Sequence, residues 1–306
     1  MAHHKRVETV LSQLPDISLH EFDFLDSSFF RSLDHGTHSG KLPSPQAVLE
    51  ASGARRGVWR FQELGVLVKY GHYSHLHLEE ALALRFVNKM LLADEVPAPE
   101  VFGWKTAGER NFIYMELMPG ERLRDAWETF SQADKESVSH QLEKIVKNLR
   151  SVEQDTADQF IGSLNRGPVQ DVYLSPDFHK GPFASAREFH DYVQFVALYW
   201  MPLEERPPEP YRAMLPDTAR ICLTHADLHL SNILVVRSAN ESRVTVSANV
   251  DWEQAGWYPE YWEYCKAMIV GSYGDEWRDD GWVNMPLKPY EKAYEAFEEY
   301  WTWKCP

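Results

Sequence analysis

The spacing of apolar residues changes character once, across NFIYMELMPGERL (111–123), and that change limits the folds open to the chain. Before it, VLEASGARRGVWRF (48–61) and VLVKYG (66–71) are short apolar runs broken at QELG, the pattern of a meander of antiparallel strands. One stretch interrupts them. HLHLEEALALRFVNKMLL (75–92) places apolar residues at 82, 86 and 90 and at 83/84, 87 and 91, which is helical spacing. After Pro119-Gly120 breaks the last strand, RDAWETF, KESVSHQLEKIVKNLRSVE and ASAREFHDYVQFVALYW read as helices. A small strand pair returns where ILVV turns through RSANES into VTVSANVD, and from about 258 the chain is aromatic-rich and reads as helix. Strands followed by helices imply the α+β class. The expected organisation is an N-terminal extension (1–45), a β-rich lobe with one helix (46–117) and a mainly helical lobe (118–306). Within the extension, LDHGTHSGKLPSPQ (33–46) reads as loop.

Composition narrows the function. A formal charge of -15 supplies no basic stripe to meet a phosphate backbone, so a nucleic-acid partner is not expected. The same charge would steer cationic ligands inward, although acidic surfaces also simply keep proteins soluble. No apolar run approaches the roughly 18 residues that span a bilayer, and the start lacks a signal-peptide core, so a cytoplasmic location without membrane contact is expected. The 3 cysteines show neither metal spacing nor an even disulfide framework. Nothing in the sequence speaks to oligomeric state.

LTHADLHLSNILVV (223–236) carries the chemistry. Asp227 and Asn232 stand five residues apart on a loop ahead of a strand, and a hairpin would return Asp251 beside Asn232. Hard oxygen ligands with room left for phosphate and water suit Mg²⁺ with a polyphosphate. Asp227 is then free to take a proton from an attacking hydroxyl. This is the layout of a kinase catalytic loop; the plainer reading is a hairpin whose polar loop residues cap turns.

The other parts of a phosphotransferase can be sought upstream. Lys69 lies on the face of its strand opposite Val66, Val68 and Tyr70, and a lysine there is costly unless paired or at a cleft. Glu79 and Glu80 open the following helix. Glu80 heads an apolar face and is the expected ion-pair partner, unless both glutamates merely complement the helix dipole. SGARRG (52–57), between the first two expected strands, could cover phosphates through backbone N–H groups and Arg55 or Arg56, or be a plain turn. The backbone from Glu116 to Met118 is the expected contact for a base edge, with Met115 or Leu117 packed on the ring.

With these residues in view, the sequence resembles the aminoglycoside phosphotransferase family of kinase-like small-molecule phosphotransferases, most closely its fungal members. The resemblance rests on LPSPQAV, VLVKYG, EEALALRFV, VPAPEVFGW, FIYMELMPGERL, FIGSLNRGP, GPFASAREFHD, THADLHLSNILV and VDWEQAGWYPEYWEYCKA, spanning roughly 42 to 268. It implies a two-lobed protein-kinase-like fold, ATP and Mg²⁺, and phosphorylation of a small-molecule hydroxyl. By position it implies Asp227 as base, His225 bracing the loop, Asn232 and Asp251 as metal ligands, and Lys69 on the phosphates. Two departures stand out. Ala226 replaces a common glycine, and the 52–57 loop has no G-x-G-x-x-G, which leaves a catalytically weak or inactive binding protein as the alternative. His229, two residues past the base, is placed to touch the γ-phosphate.

Overall fold

The structure, a computed structural model, describes residues 2–31, 40–174, 178, 180–237, 243–270 and 275–304. Helix α1 (Ala2–Ser12), strand β1 (Glu21–Asp23), and helices α2 (Ser28–Arg31) and α3 (Pro45–Ser52) precede β2 (Gly57–Phe61), β3 (Val66–His72), α4 (Glu79–Met90), β4 (Val101–Ala107) and β5 (Arg110–Glu116). The five strands form one antiparallel sheet in the order β1-β4-β5-β3-β2.

Two expectations fail here. VLEAS is helix, not strand: Ser44 caps the first turn through a bond from Ala47 N–H, Pro45 occupies the opening position, and Gly53 closes the helix at φ 62°. Those end signals outweigh a short apolar run. The stretch 1–45 is also more than an appendage. Its strand β1 pairs with β4, the Trp104 indole N–H donates to Leu19 O at 2.9 Å, and Phe24, Phe29 and Phe30 are buried. Residues 33–39 of the expected loop lie outside the described residues.

Alternation along β3 decides what each sheet face does. Val66, Val68 and Tyr70 pack with Phe112, Tyr114 and Phe102 against Phe29, Phe30, Leu42 and Val48, so α2, α3 and Leu42 cover the outer face. Leu67 and Lys69 point the other way, into the space between the lobes. Burial of such a face drives the arrangement at roughly 1.5–3 kcal/mol per large apolar side chain.

After 117–120 come β6 (Glu121–Arg122), α5 (Leu123–Ala126), α6 (Gln132–Ser151), α7 (Ala186–Leu198), β7 (Ile221–Thr224), β8 (Ile233–Arg237), β9 (Val244–Asn249), β10 (Gly256–Pro259), α8 (Trp262–Val270), α9 (Glu276–Asp279) and α10 (Glu291–Lys304). The strands form two small sheets, β6-β8-β9 and β10-β7. The β8–β9 pair matches the expected hairpin, with residues 238–242 of its turn outside the described residues. The molecule is thus α+β and two-lobed, with an antiparallel sheet in the first lobe and mainly helices in the second. Among the described residues no helix is long and apolar enough to cross a membrane.

Candidate active site

The β7–loop–β8 segment holds the polar constellation. β7 is locked to β10 through Ile221↔Pro259 to Thr224↔Gly256, and the loop leaves its end at His225. One buried carboxylate then organises the backbone: Glu263, in the first turn of α8, accepts from the N–H groups of His225 (2.8 Å), Ala226 (3.2 Å) and Leu228 (3.3 Å). The turn these bonds impose puts Ala226 at φ 63°, a conformation an alanine adopts at a cost on the order of 1 kcal/mol.

His225 is fully buried and spent on backbone. Its Nδ1 accepts from Asp227 N–H at 3.3 Å, which leaves Nε2 to donate to Val250 O at 3.1 Å, so it ties the loop to the residue before Asp251. His229 is set similarly, its Nδ1 accepting from Ser231 N–H at 3.2 Å and its Nε2 lying 3.7 Å from Asp227 Oδ2. Burial pushes the Asp227 carboxyl up, but His229, with help from His225 and Lys266, outweighs it and holds the group below its ordinary range. Asp227 is therefore ionised at neutral pH. Its Oδ2 and backbone O accept from Asn232 Nδ2 at 2.9 and 3.0 Å, which turns the amide oxygen of Asn232 away from the loop.

The hairpin places the second acidic residue. Asn249 pairs with Ile233, Val250 N–H donates to Asn232 O at 2.8 Å, and Asp251 turns out of the ladder at φ 69°. Across the cleft, Lys69 Nζ meets Asp251 Oδ1 at 2.6 Å, Glu253 Oε2 at 2.9 Å and Glu80 Oε2 at 2.8 Å. The Glu80 contact is an ion pair without hydrogen-bond alignment. Burial would lower the Lys69 pKa, yet the three carboxylates outweigh it and keep the ammonium charged. Burial pushes Glu80 up to about 7, against the pull of Lys69 and with the repulsion of Asp251 added. One cation shared by three carboxylates leaves excess negative charge, and carboxylate oxygens of Glu80, Asp251 and Glu253 lie within 4.8 Å of one another. Hard oxygens and surplus charge fit a divalent ion such as Mg²⁺.

The cleft itself is a cavity of about 860 Å³. Val58, Arg60, Leu67 and Lys69 form its sheet wall; Glu116 to Arg122 form its back; Asn232, Leu234 and Asp251 form its floor. At the back, Glu116 N–H is taken by Glu100 O and Leu117 N–H by Gly65 O, both at 2.8 Å. The donor expected between Glu116 and Met118 is thereby narrowed to Met118. Residues 52–56 do not line the cavity. The loop follows a helix rather than a strand, so no β-hairpin arches over Lys69 from that side.

Of the residues expected from the sequence, Lys69, Glu80, Asn232 and Asp251 line one cleft and Asp227 is joined to them through Asn232, whereas Glu253 and Glu263 were not expected. Both left a signal. Glu253 follows Asp251 at strand alternation, and Glu263 is a lone acid inside the apolar run YWEYCKA, where only a bonded carboxylate is tolerable. A third group was also missed: Asp171 and Lys266 form a buried ion pair at 2.8 Å, completed by Trp262 Nε1 and Gln254 Oε1.

A family model described as "Phosphotransferase enzyme family" matches residues 66–300. The chain belongs to that family. It is accordingly a phosphotransferase. Among solved structures, the streptomycin–ATP ternary complex of APH(2")-IIa is 13% identical with a TM-score of 0.51, covering 85% of this chain and 87% of that one. Aminoglycoside phosphotransferase APH(4)-Ia is 15% identical with a TM-score of 0.47, covering 80% and 79%. An aminoglycoside-3'-phosphotransferase of type VIII is 14% identical with a TM-score of 0.44, covering 99% and 97%. At such identities the first of these speaks to the shared kinase-like fold. No curated protein sequence matches.

Proposed function

We propose that the protein transfers a phosphoryl group from Mg·ATP to a hydroxyl of a small molecule, with a cationic amino alcohol or amino sugar as the acceptor class. The observation that carries this reading is the meeting of Lys69, Asp251 and Glu253 across a cleft whose floor includes Asn232, itself bonded to Asp227. The net charge of -15 supports a cationic acceptor.

Each side chain then has a task. Asp227, ionised and steadied by Asn232 and His229, accepts the proton of the attacking hydroxyl as its oxygen bonds to the γ-phosphorus and the bond from that phosphorus to the β–γ bridging oxygen breaks, releasing ADP. His225 and Glu263 act through the backbone, fixing the direction of that carboxylate. Lys69 carries the positive charge that phosphate oxygens need, and Glu80 anchors it. Asn232 Oδ1, Asp251 and Glu253 are the groups that would hold Mg²⁺, which when bound supplies charge neutralisation on the phosphates. Met118 N–H is the donor for the base edge, beside Met115 and Leu117.

The test is nucleotide binding by thermal shift with and without Mg²⁺, followed by an ATP-consumption screen over amino alcohols, amino sugars and neutral sugars. Mg²⁺-dependent stabilisation that disappears in Asp251→Ala, together with turnover on one acceptor class, is the expected result. Stabilisation indifferent to Mg²⁺, with no acceptor consumed, would overturn the proposal.

A further inference from the structure

A second cavity, of about 510 Å³, lies at the other end of β7 from the catalytic loop. It shares no lining residue with the nucleotide cleft. Three separate segments build it: the last turns of α6 bring Lys147 and Arg150, Arg220 directly precedes β7, and Lys288 arrives from the segment before α10. In a chain of 31 basic and 46 acidic residues, four cations against the two carboxylates Glu143 and Glu153 is a local reversal of sign.

The plain explanation is that basic residues complement the negative end of a helix. That accounts for Lys147 and Arg150, which α6 itself supplies. It does not account for Arg220 and Lys288, which come from elsewhere in the chain. The two arginines are also positioned by one backbone segment: Arg150 donates to Glu260 O and Glu260 N–H donates to Arg220 O, both at 2.8 Å. The Arg220–Glu153 contact is long, 3.4 Å between half-exposed side chains, and so leaves the guanidinium weakly committed. Beneath the charges, Val146 and Pro286 are buried and supply an apolar floor. A cavity of this size with a few convergent charges over apolar lining has the form of a small-molecule site.

We infer that this pocket binds a small organic molecule bearing two anionic groups, phosphate or carboxylate, held by Arg150 and Arg220 with Lys147 and Lys288 at the rim. Planar guanidinium groups suit either oxyanion through paired N–H donors. The inference does not depend on the proposed phosphoryl transfer.

Calorimetric titration with inorganic pyrophosphate and, separately, with citrate tests it, in metal-free buffer at constant ionic strength. At least one anion should bind with 1:1 stoichiometry, and which one binds separates phosphate from carboxylate recognition. Arg220→Ala/Lys288→Ala, at two exposed positions, should weaken binding about tenfold or more. Arg60→Ala/Arg122→Ala, at the nucleotide cleft, should leave it unchanged. Binding of neither anion would overturn the inference, as would binding that resists the pocket variant or is lost with the cleft variant. A melting temperature for each variant close to that of the parent shows that folding is not the cause.

Discussion

The two walls of the cleft are built to different standards. On the side of the second lobe, the loop 225–232 is tied down almost residue by residue: Glu263 holds three backbone N–H groups, His225 bridges to Val250, and Asn232 grips Asp227. On the sheet side, Lys69 is held by three carboxylates, yet the segment 52–56 leading into β2 leaves the cavity lining altogether. The contrast teaches where precision is needed. A proton acceptor misplaced by an ångström costs orders of magnitude in rate, whereas phosphates can be held by an ammonium, a metal ion and bulk electrostatics with some latitude.

Substitutions can break that contrast. Asp227→Asn should lower kcat by about 10³–10⁴ while nucleotide affinity stays within a few-fold, measured by turnover beside titration calorimetry. Because the Asp227 pKa is depressed in the folded protein, its base form persists as pH falls through the ordinary carboxylate range. The acid limb of kcat/KM assigned to it should therefore lie below the usual value of 3.8. Glu263→Gln keeps shape but can no longer accept three N–H bonds on a charged group, so a kcat loss of about 10- to 100-fold is expected with little change in KM for ATP. A matching rise in KM would instead assign Glu263 to ground-state binding. Ala226→Gly should relieve the left-handed strain and raise unfolding free energy by up to about 1 kcal/mol in denaturant titration. Smallest of all, Arg55→Ala/Arg56→Ala should move KM for ATP by less than about threefold, within the reach of weak exposed charges. A larger effect would return the 52–57 loop to the phosphates and erase the difference between the walls.

The legible parts of this chain were those where local pattern and chemistry agree. The β8–β9 hairpin follows from alternation on both sides of a polar turn, and it suffices to return Asp251 to Asn232. Choosing Glu80 over Glu79 followed from helical phase, and the 2.8 Å contact to Lys69 matches it. What stayed hidden depends on partners distant in sequence. VLEAS carries a strand-like composition, and its helix is fixed by Ser44, Pro45 and Gly53 at its ends. Glu116 and Leu117 were equal candidates with Met118 until Glu100 O and Gly65 O claimed their N–H groups. The three bonds to Glu263 span 35 to 38 residues and connect separate elements, beyond what any window along the chain contains.

The covering of the outer sheet face reaches beyond the active site. Cut off ahead of β2, the remaining chain would turn Val68, Tyr70, Phe112 and Tyr114 toward water as a sticky plane, and neighbouring molecules would be the only material at hand to hide it. Trimming the first fifty residues, an ordinary economy when a kinase-like domain is shortened for study, would here produce aggregates.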